Sequence, residues 1–157
     1  MNAPSVYRGR FAPSPTGPLH FGSLVAALGS FLDARAHGGE WLLRMEDIDP
    51  PREQAGAADS ILRTLETLGL HWDGPVLYQR TRAEAYQAAL DGLLRNGAAF
   101  ACGCTRREIA DSGWQGLEGA VYPGTCRKGL GGRPARALRV RVSEAPLEFE
   151  DRLQGHC

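Results

Sequence analysis

Apolar residues along this chain alternate between two periods. Val6 to Ala12 is a short strand-like run closed by Pro13 and Pro15, because proline brings no donor to a strand ladder. From about His20 to His37 the period becomes helical: Leu24, Val25, Leu28, Phe31 and Leu32 recur at three- and four-residue steps, and Gly38-Gly39 supplies the stop. Trp41 to Met45, WLLRM, predicts a second strand. Beyond the turn-rich DIDPPRE, a second helix carries Ala58, Ile61, Leu62, Leu65 and Leu68 on one face, with Gly69 after its end. Strand, helix, strand, helix is the order that builds a parallel sheet with helices on both faces.

A third round follows. Val76 to Tyr78 predicts a brief strand, and Thr81 is placed to cap a helix bearing Tyr86, Leu90, Leu93 and Leu94 that closes at Asn96-Gly97. Ala99 to Cys102 reads as another strand. From Cys102 to about Arg133 the texture turns Gly-rich and irregular, the mark of a small insertion, and Thr105-Arg-Arg-Glu108 within it predicts a capping box on a short helix. Ala137 to Val142 and Leu147 to Phe149 alternate as antiparallel strands do. The expected organisation is therefore 1–101, an insertion over 102–133, and strands over 134–157. No internal repeat is visible.

Composition narrows the class. A compact chain of 157 residues buries about 68 to 70% of its unfolded surface, enough for a real core. With 43% hydrophobic and 23% charged residues and no long uncharged apolar run, a soluble globular protein without a membrane span is expected. MNAPSVYRGR lacks the features of a secretory signal, so the cytoplasm is the expected location, and its reducing conditions turn cysteines toward metal or packing. A formal net charge of zero gives no global pull toward nucleic acid. Lys128 is the one lysine among 18 basic residues; arginine suits planar phosphate and carboxylate recognition, and genomic base composition produces the same bias.

The stretch PSPTGPLHFGSL, residues 13 to 24, stiffens the chain just before the first helix. If the first strand delivers it to the carboxyl edge of a parallel sheet, it lies where open α/β folds bind ligands. Gly17 and Gly22 then let backbone approach a ligand, and the helix amino terminus offers unpaired N–H groups to an anion. His20 at that terminus can donate to a phosphate oxygen. The plainer alternative is that the prolines only end a strand and His20 caps or packs against the helix.

RFAPSPTGPLHFGSL together with LLRMEDIDPPRE resembles the opening half of the catalytic domain of class I glutamyl-tRNA synthetases, and HWDGPVLYQ with the later cysteines resembles their short glutamyl-Q tRNA(Asp) branch. The resemblance implies a partial Rossmann-like α/β sheet with a small zinc-binding insertion. It implies activation of L-glutamate by ATP with magnesium and transfer to the queuosine base of tRNA(Asp); a monomer is expected. His20-Phe21-Gly22-Ser23 stands where the class carries its HIGH signature, so His20 and Ser23 take the catalytic positions, and Pro13, Gly17, His20, Gly22 and Ser23 the ATP site. Arg10, Ser14 and Glu46 match the glutamate-gripping positions, with Ala12 adding backbone contacts. The substrate carboxylate attacks the α-phosphate itself, so alignment and charge stabilisation replace a protein nucleophile. The family's lysine-bearing KMSKS-like loop has no match here, and the isolated chain is expected to be inactive or nearly so. A non-catalytic zinc and RNA-binding module is the alternative from another class.

Spacing alone leaves other readings open for these groups. Arg10 and Glu46 can pair with each other, and Glu46, Asp47 and Asp49 can form a solvated acidic turn or a magnesium site. Cys102, Cys104 and Cys126 offer three thiolates to a structural zinc, or sit reduced and buried. By ligand chemistry the fourth donor is His156 or Cys157; the resemblance assigns Tyr122. RVRV puts Arg139 and Arg141 on one strand face, as an RNA phosphate track or as a solvated stripe.

Overall fold

The computed structural model describes residues 6–116, 119–143 and 145–157. The chain divides into two compact units, Met1–Ala85 and Tyr86–Cys157. In the first unit β1 (Arg8–Phe11), α1 (Phe21–Ala36), β2 (Glu40–Met45), α2 (Ala57–Thr67) and β3 (Leu77–Tyr78) follow in the predicted order. The strands form a parallel sheet in the order β1-β2-β3, with Arg10 beside Leu42, Phe11 beside Leu43 and Met45 beside Tyr78.

Both crossovers step the same way across this sheet, and right-handed crossovers that do so stack their helices on one face. A single core results: Phe11, Trp41, Leu43 and Met45 from the strands meet Ala27 and Ala34 of α1 and Ile61 and Leu65 of α2. The expectation of helices on both faces is thus corrected for this unit. Arg8, Arg10, Leu42 and Arg44 alternate onto the opposite face.

Of the apolar residues predicted along α1, Phe31 packs against the core and Leu24 is half-buried, but Val25, Leu28 and Leu32 point outward. Phe21, Val25, Leu28 and Leu32 are 81%, 55%, 47% and 55% exposed, while the buried positions are Ala27 and Ala34. The cause lies on the strands. Trp41 fills the space between sheet and helix, edge-on to Phe31 at 5.3 Å, with its indole N–H donating to Ser30 Oγ at 2.9 Å. Beside it α1 rides close to β1: a Cβ on Gly9 would meet Ala34 Cβ at 3.0 Å and the Ser30 carbonyl at 3.1 Å. Only small side chains fit there.

α2 agrees with its pattern except that Leu68 lies past the helix end and is exposed. Gly69 takes φ 72°, and Leu70 N–H returns to the Leu65 carbonyl at 2.9 Å, the glycine-dependent stop the sequence suggests. Thr81 does not cap α3 (Ala83–Arg95). It sits inside a turn of 3-10 helix over Gln79–Arg82, and its hydroxyl donates to the Tyr78 carbonyl at 2.7 Å.

In the second unit β4 (Ala99–Cys102) pairs antiparallel with β7 (Ala137–Val140), setting Phe100 opposite Arg139 and Cys102 opposite Ala137. Between them lie α4 (Arg106–Ala110), with the Thr105–Glu108 capping box in place, and the small hairpin of β5 (Gln115–Gly116) and β6 (Gly119–Ala120). β8 (Glu150–Asp151) and β9 (Gly155–His156) form a last hairpin. Leu147 to Phe149 is not a strand. Leu147 is 90% exposed with no ladder partner, and pairing starts where Phe149 and Cys157 exchange backbone hydrogen bonds at 3.0 and 2.9 Å.

Candidate functional site

The loop between β1 and α1 is fastened at three points. Thr16 N–H bonds the Ser14 carbonyl at 2.8 Å, Glu46 N–H the Pro13 carbonyl at 2.9 Å and Gln54 N–H the Pro15 carbonyl at 3.0 Å. Gly17 adopts φ 147°, which a side chain would resist. The loop and the first turn of α1 enclose an open cleft of about 440 Å³ lined by Ala12, Pro13, Ser14, Gly17, His20, Gly22 and Ser23 among others. All five residues expected around ATP therefore meet in one place, with two of those expected around glutamate.

His20 is both cap and cleft wall. Its Nδ1 accepts from the Ser23 backbone N–H at 3.2 Å, so the neutral ring carries its proton on Nε2, which faces Ser23 Oγ at 3.1 Å. The ring is exposed, not turned toward hydrocarbon. A Cβ on Gly22 would stand 3.2 Å from two atoms of this ring, so the glycine leaves it room. N–H groups of the first helical turn lack intrahelical acceptors, and a donor beside them makes a cleft suited to an anion.

Arg10 is exposed on the open face of β1 and has no hydrogen-bond or ion-pair partner among the described residues. The Arg10–Glu46 pair left open by spacing does not form. Glu46 instead accepts from Arg44, whose Nε is buried without a partner. Asp47 takes Arg80, and Asp49 takes Arg52. The acidic trio is thus divided among three arginines; the one cluster of candidate metal ligands among the described residues lies elsewhere.

Asp47 is the buried member of that trio. Burial alternates through Trp41, Leu43, Met45 and Asp47, so the strand period itself carries the signal. Burial raises its pKa, but hydrogen bonds from the Arg80 side chain and backbone outweigh that and hold it below the ordinary 3.8.

Cys102, Cys104 and Cys126 are buried, and their sulfurs lie within 4.8 Å of one another. Cys104 and Cys126 are 3.7 Å apart. Zinc–sulfur bonds of about 2.3 Å in a tetrahedron set sulfur–sulfur edges near 3.8 Å, so the donor set fits zinc. The Tyr122 hydroxyl lies beside it, accepting from Cys126 N–H at 2.6 Å. His156 pairs instead with Glu150 at 3.1 Å, and neither it nor Cys157 belongs to the cluster. Burial raises the Tyr122 phenol to about 12 and also raises Cys104. Burial works against the Cys102 thiolate too, but hydrogen bonds led by Arg139 bring its pKa down to about 6.

The family model described as tRNA synthetases class I (E and Q), catalytic domain, matches residues 6–120. The chain belongs to that family. It is 63% identical over 158 residues to a glutamyl-Q tRNA(Asp) synthetase of Dechloromonas aromatica, covering 99% of this chain and 52% of the relative. A second such synthetase, of Chromobacterium violaceum, is 62% identical over 96% of this chain and 51% of its own length. The chain spans about half the length of these curated relatives. Among solved structures, a glutamate tRNA ligase from Elizabethkingia meningosepticum in complex with its amino acid superposes with a TM-score of 0.79 at 25% identity, over 98% of this chain and 36% of that one.

In this class I synthetase chain the arginines read as an RNA track have internal partners. Arg139 lies 4.0 Å over the Tyr122 ring and Arg141 4.8 Å over Phe100. Arg141 also donates to the Gly97 and Arg127 carbonyls at 2.9 and 2.8 Å. No helix among the described residues is long and apolar enough to cross a membrane.

Proposed function

We propose that this chain supplies the nucleotide- and glutamate-binding part of a ligase that activates glutamate with ATP and magnesium and transfers it to the queuosine base of tRNA(Asp). The carrying observation is the cleft of about 440 Å³ at the amino end of α1, where His20, Ser23 and the glycines converge. His20 Nε2–H and the first-turn N–H groups receive the triphosphate, and Gly17 and Gly22 allow close approach. Ala12 and Ser14 on the same wall, with the unpaired Arg10 on the strand leading into it, favour an amino acid beside the nucleotide. Arg10 forks onto the substrate carboxylate, and Glu46 exchanges its Arg44 partner for the ammonium.

Cys102, Cys104, Cys126 and Tyr122 would hold one structural zinc, which would tie β4 to the irregular segment after it. The relatives above 60% identity are named for glutamyl-Q transfer, which favours that reading over ordinary glutamyl-tRNA synthesis. Pyrophosphate exchange on the gene product tests activation: exchange that depends on glutamate is expected, and its absence overturns the assignment. Charging of tRNA(Asp) with and without queuosine then separates the two ligases, because equal charging of both RNAs sinks the queuosine reading.

A further inference from the structure

Arg139 stands against the candidate metal centre. It stands opposite Phe100 in the β4–β7 ladder, and Cys102 ends the same strand two residues on. Its guanidinium lies 4.0 Å above the centre of the Tyr122 ring, and its register puts it on the sheet face that carries Cys102. The side chain is half-buried, and its Nε is enclosed without a hydrogen-bond partner. A solvated phosphate-tracking arginine keeps its donors in water; this one spends its cation on an aromatic face.

Chemistry gives that placement a use. Three thiolates and a phenolate outnumber the charge of a divalent ion, so the ligated centre is anionic and largely dry. Such a centre is costly without a nearby cation. Stacking also fixes the plane of the Tyr122 ring, and with it the direction in which the hydroxyl oxygen points. Arg141 is a natural contrast. It sits two residues along and stacks on Phe100, which is not a donor, and its N–H groups go to carbonyls.

We propose that Arg139 is a positioning residue of the metal centre: it orients Tyr122 and supplies the counter-charge for the bound ion. This rests on the zinc reading above. The test uses the purified gene product with zinc competed against a chromogenic chelator, and cobalt(II) as a spectroscopic probe. Arg139→Gln is expected to weaken zinc binding about 10- to 100-fold and to shift the thiolate-to-cobalt absorption bands. Arg141→Gln is expected to change neither.

Failure can be assigned. If the unsubstituted protein takes up neither zinc nor cobalt, the metal reading falls and this inference with it. If it binds both and Arg139→Gln binds as tightly, or no more weakly than Arg141→Gln, the positioning role alone is overturned. Should the glutamine variant not fold, Arg139→Lys carries the test, because it keeps the charge and loses the flat stack. Shifted cobalt bands and faster loss to chelator support the role; wild-type bands and rate refute it.

Discussion

Asp47 accepts from both the backbone N–H and the guanidinium of Arg80, 33 residues further along the chain. The carboxylate is buried while the arginine is largely exposed. One side chain after β2 thereby pins the turn that follows β3, and the pin is electrostatic.

Its pH dependence follows. Asp47 titrates below its ordinary 3.8 when folded, so the ionised form is the one the fold prefers. The stabilisation is fully present above that value and is lost as pH falls through the lower, folded value. Asp47→Asn should cost about 2 kcal/mol at pH 7 and almost nothing once the pH is low enough to protonate Asp47 in the folded protein. Urea unfolding of both proteins at the two pH values checks this, and an equal cost at both removes Asp47 as the source.

His20 has two duties that substitutions can separate. Asn caps helices well whereas Ala does not. His20→Ala should lose about 1 kcal/mol of stability along with nucleotide activation, and His20→Asn should regain the stability alone. A fall of about 100-fold or more in pyrophosphate exchange is expected for both. Thermal unfolding beside the exchange assay reads the two effects independently.

Gly22→Ala should give a more stable protein that works less well. The added methyl gains helix propensity, on the order of 0.5 to 1 kcal/mol, but meets the His20 ring at 3.2 Å. A rise in melting temperature with a fall in exchange rate is the signature. Unchanged exchange would mean the ring has slack.

Arg10→Ala should raise the KM for glutamate about 10- to 100-fold with little effect on folding, because Arg10 has no partner to lose among the described residues. Loss of stability without a change in KM would make Arg10 a structural residue.

Removing metal should act locally. A chelator strong enough to strip zinc is expected to raise amide exchange in β4, α4 and β7 while leaving β1 and β2 protected. Uniform loss of protection across the chain would argue against a structural metal confined to the second unit.

Much of this was legible because period and punctuation are local properties. The strand, helix, strand order and the glycine stop after α2 follow from neighbours along the chain. The motif around His20 is also contiguous, so its cleft can be assembled from one short stretch. What escaped involves partners distant in sequence. Trp41 decides which side of α1 faces inward, and nothing within α1 announces that. Arg44, Arg80 and Arg52 divide an acidic run that spacing alone leaves as a possible cation site. Thr81 has the chemistry of a cap, yet the Tyr78 carbonyl three residues back claims its hydroxyl first. The arginines of RVRV alternate as predicted, but the aromatic rings that receive them come from β4 and the insertion.

The hydrocarbon ridge of Phe21, Val25, Leu28 and Leu32 also governs how the polypeptide behaves as a material. With a formal net charge of zero, long-range repulsion gives molecules little reason to stay apart. Concentrated solutions of this polypeptide should therefore cloud readily on addition of sulfate, and a single lysine or glutamate set into the middle of that ridge should delay the clouding more than the same charge placed anywhere polar.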